Sequence, residues 1–144
     1  MLKLRFLPVT LLAGVLSTGS AFAETIRLTA NLQPSSEVPP TTSTGSGAVD
    51  ATFDTATHTL QWTVTYRNLS GPATAAHFHG PAPVGQNAGA QVPVPKDALA
   101  SPIKGAKALT DGQVTDLMGG KWYFNIHTKA HPSGEIRGQV LPAG

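Results

Sequence analysis

Residues 49–66 read VDATFDTATHTLQWTVTY. Val49, Ala51 and Phe53 alternate with Asp50 and Thr52, and Leu60, Trp62, Val64 and Tyr66 alternate with Gln61, Thr63 and Thr65. A period of two is the pattern of strands with one face buried. Asp54-Thr55-Ala56-Thr57, between the runs, reads as a hairpin turn. The same alternation recurs outward in both directions. Ile26, Leu28, Ala30 and Leu32 alternate upstream, and Trp122, Phe124 and Ile126 share a face downstream, as do Ile136 and Val140. Thr74–His79 and Gln91–Val94 read as two further strands, the first sending Thr74, Ala76 and Phe78 into the core. Pro34–Gly47, Gly80–Gly89 and Pro95–Gly105 read as Pro/Gly-rich links. One short helix is expected near 110–118, with Thr110-Asp111 at its start, Val114, Leu117 and Met118 on one face, and Gly119-Gly120 as its stop. Many short strands separated by turns predict an all-β chain, an antiparallel Greek-key sandwich or barrel of immunoglobulin-like or superoxide-dismutase-like kind.

The 144 residues include 15 glycines and 12 prolines, too many for a helical bundle, and no cysteine. A disulfide scaffold, a thiolate metal site and a cysteine nucleophile are thereby excluded. Met1–Ala23 has the layout of a secretory signal peptide: basic Lys3 and Arg5, an apolar stretch from Phe6 to Leu16, and Ala21-Phe22-Ala23 as the cleavage site. The apolar stretch falls short of the ~20 residues of a spanning helix. The expected mature chain, residues 24–144, is one domain, periplasmic or secreted. Lys3 and Arg5 leave with the leader, so the formal charge of +2 falls to zero. That removes the case for a nucleic-acid partner or an anionic membrane surface.

Four of the five histidines form two tight pairs. His77-Phe78-His79 is an H-x-H within a strand, so both imidazoles project from the face opposite Phe78. If Trp122, Phe124 and Ile126 face the core, then Tyr123, Asn125 and His127 face the other way. His131 follows in the turn before Pro132-Ser133-Gly134. His77, His79, His127 and His131 are thus candidate ligands of a transition metal, copper first and zinc as the alternative, because neutral imidazole suits both. The competing reading leaves them as polar surface. His58, beside the hairpin turn, is expected to be plain surface. Glu135 and Arg137 read as an exposed ion pair or as groups orienting a histidine. Ser133 lies near histidines without a G-x-S-x-G elbow, so no catalytic residue is assigned.

Together, AHFHGPA at 76–82, WYFNIHT at 122–128 and HPSGEIRGQ at 131–139 resemble the CHRD domain, named after chordin. Leu28-Thr29-Ala30 through Glu37-Val38-Pro39-Pro40 and the hairpin at Phe53–Leu60 fit the same pattern. The resemblance implies an exported domain spanning the mature chain, and it opens a second function class: a non-catalytic module that engages a protein partner. The H-x-H with a later strand histidine is also similar to the copper site of Cu,Zn superoxide dismutase. By that comparison His77 and His79 are ligands from one strand and His127 from another, and His131 must supply the fourth position. No cysteine pair or His/Asp-rich zinc loop accompanies them, so a copper redox enzyme ranks third.

Overall fold

The computed structural model describes residues 23–144, so the expected leader, Ala23 apart, lies outside the described residues. Eight strands follow in chain order: β1 (Thr25–Leu32), β2 (Ser46–Asp54), β3 (Thr59–Arg67), β4 (Ala73–His79), β5 (Ala90–Pro93), β6 (Ile103–Ala108), β7 (Trp122–Thr128) and β8 (Ile136–Pro142). They form one antiparallel sheet in the order β5-β4-β7-β8-β1-β2-β3-β6. The sheet curls until it nearly closes as a barrel. Trp62 on β3 packs edge-to-face on Phe78 of β4, with ring centroids 5.2 Å apart, although four strands lie between them in the sheet order.

The β2–β3 hairpin forms as its sequence requires. Asp54 Oδ1 accepts the N–H groups of Ala56 and Thr57 at 2.8 and 2.9 Å, which holds the turn, and His58 closes it at φ +52. The expected helix α1 spans Asp111–Met118. Thr110 accepts the Gln113 N–H, and the Gln113 side chain accepts the Thr110 N–H in return, a reciprocal cap of the first turn. Leu117, fully buried, fixes α1 to the core.

Three local readings are corrected. Pro95–Gly105 is not only a link: it carries a short 3-10 turn at Lys96–Ala98 and opens β6, which pairs along β3 from Val64 opposite Ile103 to Thr59 opposite Ala108. Only Ile103 of β6 is buried, so no alternation marks this edge strand. Thr74 is exposed, because β4 enters the core only from Ala76 onward. His58 is not bare surface: its Nδ1 lies 3.3 Å from Asp111 Oδ1, and its ring lies 6.0 Å from that of Phe53.

The core is aromatic at its centre. Phe78 meets Trp62, Phe124 at 4.8 Å and Trp122 at 6.1 Å between centroids. Truncating it removes the contact that joins the two ends of the sheet. Phe78→Ala is expected to destabilise the protein by about 3–5 kcal/mol, read as a lowered denaturation midpoint at unchanged slope. A loss under about 1 kcal/mol would mean that the sheet closes without this cluster.

Candidate functional site

The face of β4 and β7 turned away from that core carries the histidines. Antiparallel pairing sets His77 opposite Asn125, His79 opposite Tyr123 and Ala75 opposite His127. Strand alternation puts all of these side chains on one side of the sheet, as the sequence predicts. This side is not open surface, however. Every residue of β7 is buried, including Tyr123, Asn125 and His127. Ala88 of the 80–89 loop and Pro132 of the β7–β8 turn supply carbonyl oxygens to this face.

Three imidazoles converge here. One ring nitrogen from each of His77, His79 and His127 lies within 4.8 Å of the other two. His77 Nδ1 and His127 Nε2 are 3.1 Å apart. The Nδ1 atoms of His79 and His127 each face a backbone carbonyl, Ala88 and Pro132, at 2.9 Å. A carbonyl only accepts, so each Nδ1 carries the hydrogen and each neutral ring presents its lone pair at Nε2. The Nε2 of His79 is buried with no hydrogen-bond partner. Burial lowers the pKa of His77, and the neighbouring imidazoles lower it further. Burial also lowers that of His79, against the opposing pull of its bond to Ala88. Both shifts favour the neutral, ligand-competent ring.

Tyr123 and Arg137 support the cluster from behind. The Tyr123 ring stacks on His79 at 4.8 Å with planes 2° apart, and the Arg137 guanidinium lies 3.4 Å over the Tyr123 ring. Arg137 also donates to the Gln86 carbonyl and to Asn87 Oδ1, and the Tyr123 hydroxyl both donates to and accepts from the Ala88 backbone. These bonds hold the 80–89 loop where Ala88 can orient His79.

The model of the CHRD domain matches residues 28–140. The chain belongs to the CHRD domain family. No curated protein and no solved structure matches it.

Within this CHRD domain the other expected site residues fall elsewhere. His131 is not among the histidines brought together. It stands in the turn, where its backbone N–H donates to Thr128, and the neighbouring Pro132 supplies the carbonyl that orients His127. Glu135 and Arg137 are both buried and do not pair. Glu135 instead accepts from the Ser43 hydroxyl, the Ser70 N–H and hydroxyl, and the Thr128 hydroxyl, tying the 41–43 and 68–72 links to β7. Sequence reading missed Glu37 altogether, since no strand pattern surrounds it. It is 4% exposed, and its carboxyl lies beside Asn125 and Gly134.

These two carboxyls have opposite pH behaviour. Burial pushes Glu135 up, but its hydroxyl and N–H bonds outweigh it and hold the carboxyl at about 2, below 4.5. Its stabilisation is therefore present above pH ~4.5 and lost as pH falls towards 2. Burial raises Glu37 to about 7 against the opposing pull of Arg137 and Asn125. Its cost to the fold therefore grows as pH rises from ~4.5 through 7. Glu135→Gln should lose about 1–3 kcal/mol at pH 6, with the difference from wild type shrinking towards pH 2. Glu37→Gln should gain on wild type as pH rises to 8. Thermal melts of the three proteins across this range test both signs, and pH-independent differences would overturn them.

Proposed function

We propose that this CHRD-domain protein is exported through its leader at Met1–Ala23 and binds a transition-metal ion, copper first and zinc as the alternative, through His77, His79 and His127. The observation that carries the reading is the convergence of three ring nitrogens from two paired strands, one of them buried without a partner. Two neighbouring ligands on one ion with ~2 Å bonds stand ~3 Å apart, which is the spacing of His77 Nδ1 and His127 Nε2. The donor set fits the metal chemically: nitrogen ligands without thiolate suit copper(II) and zinc. The carbonyls of Ala88 and Pro132 act on the far side of two rings, as hydrogen-bonded partners do around metal ligands. His77 and His79 are only half-buried, which leaves an ion a way in. Buffering or carrying metal outside the cytoplasm is the role this arrangement serves, and no catalytic group is assigned.

The alternative of a protein-interaction module gains little from the surface. Among the described residues only Val84 and Leu141 are large exposed hydrophobics. No helix among them is long and apolar enough to cross a membrane.

Calorimetric titration of the full-length product with copper(II) and zinc(II) should find one tight site per chain. His77→Ala and His127→Ala should each weaken it by about 100-fold or more, and His131→Ala by less than about twofold. Unchanged binding in the first two variants would overturn the reading. Export is tested separately: mass spectrometry of protein from the extracytoplasmic fraction should show a chain starting at Glu24, and an intact Met1 there would contradict it.

A further inference from the structure

We propose that the imidazole cluster holds its ion with a fourth donor, the side-chain oxygen of Asn125, and that buried Glu37 aims this oxygen. The proposal rests on the metal reading above and completes its donor set.

Asn125 lies on β7 directly opposite His77 and two residues before His127, in the middle of the histidine face. Its Oδ1 stands 3.0 Å from His127 Nε2. The Pro132 carbonyl draws a hydrogen to His127 Nδ1, so the ring in its ligand form offers only a lone pair at Nε2. Oδ1 likewise has only lone pairs to offer. Two such atoms at 3.0 Å repel unless a positive centre, a proton or a metal ion, lies between them. Neighbouring donors around one metal ion stand at about this separation, ~3 Å, and His77 Nδ1 completes the same edge on the other side of His127 at 3.1 Å.

An amide can turn over and present its nitrogen instead. Glu37 prevents this. Its Oε1, buried and with no other hydrogen-bond partner, stands on the Nδ2 side of the Asn125 amide. The two groups meet over Gly134, where a Cβ would stand 2.7 Å from Asn125 Nδ2 and still closer to Glu37 Oε1. A carboxyl oxygen free to accept takes the amide N–H side, which leaves the Asn125 oxygen directed at the imidazoles. Gly134, at φ +129, has the backbone and the missing side chain that this approach needs. The resulting set is three nitrogens and one oxygen. The oxygen weights the site towards a divalent ion, copper(II) or zinc(II), over the softer copper(I).

The direct test leaves the fold untouched. The wild-type chain, labelled with carbon-13 at the asparagine side-chain carbonyl, is titrated with zinc(II) and followed by NMR. The Asn125 resonance, assigned by its loss in Asn125→Ala, should shift on loading, while those of Asn31, Asn68 and Asn87 stay put. In parallel, Asn125→Ala should weaken copper(II) by about 10-fold and change its paramagnetic resonance spectrum, with copper(I) affinity altered by less than about twofold. Glu37→Gln should weaken copper(II) in the same direction by a few-fold. A stationary Asn125 resonance on the zinc-loaded protein would overturn the proposal while leaving the three-histidine site standing, as would equal copper(II) affinity in a folded Asn125→Ala. Absence of any tight metal binding to wild type would instead overturn the metal reading itself.

Discussion

Burial of β7 on both faces is the constraint on which the rest of the structure depends. One face, Trp122, Phe124 and Ile126, belongs to the apolar core, and this burial drives the sheet to curl. The other face, Tyr123, Asn125 and His127, is polar and is buried as well. A buried polar group without a partner costs far more than a hydrogen bond gains, so each of these side chains must be answered. The partners come from loops. Ala88 and Pro132 bond β7 side chains from two different links, and Glu37, from a third, stands beside Asn125. The long Pro/Gly-rich segments are therefore parts of the site, with their backbone carbonyls as working groups.

Charged residues fasten those links. Arg137 reaches across Tyr123 to the 80–89 loop, and Glu135 gathers Ser43, Ser70 and Thr128. Neither has an acidic or basic partner at hydrogen-bond distance. Each is satisfied by neutral dipoles, which answer a buried charge when enough of them are aimed at it. A chain without disulfides thus gains fixed loops by directing a few buried charges at backbone and hydroxyl groups. Rigid loops matter here because the tautomers of His79 and His127 depend on carbonyls that the loops deliver.

How much of this was legible follows from how local each signal is. Alternation in Leu28–Leu32, Val49–Phe53 and Leu60–Tyr66 is a property of single strands, and those strands lie where the pattern puts them. The H-x-H spacing and the alternation of β7 likewise placed His77, His79 and His127 on one face. Strand β6 had no such signal, because an edge strand that buries only Ile103 has no face to alternate. The cover over the histidine face was also invisible, since it depends on where distant loops return. For the same reason Glu37 gave no sign, and Glu135 and Arg137 read only as an exposed ion pair or as groups orienting a histidine. Sequence neighbours suggested four histidines, yet His131 stands beyond the end of β7 and is not among the three that converge, and its turn contributes the Pro132 carbonyl.

Those same distances explain why the site is made as it is. The atoms that would touch an ion come from adjacent strands, whose register fixes His77, Asn125 and His127 to within the play of a side chain. The atoms that set their protonation come from loops, which can open without unpairing the sheet. Donor positions are thus set by paired strands, and donor tautomers by loop carbonyls. A disturbance of the 80–89 loop would leave three imidazoles in place but free His79 to exchange tautomers, because Ala88 would no longer hold its Nδ1–H. Affinity would then fall with the loop's closed population while the donor geometry stayed intact. In a chain with no thiolate to grip an ion irrespective of tautomer, the proposed nitrogen-and-oxygen site would depend on these loop carbonyls for its hold on a metal.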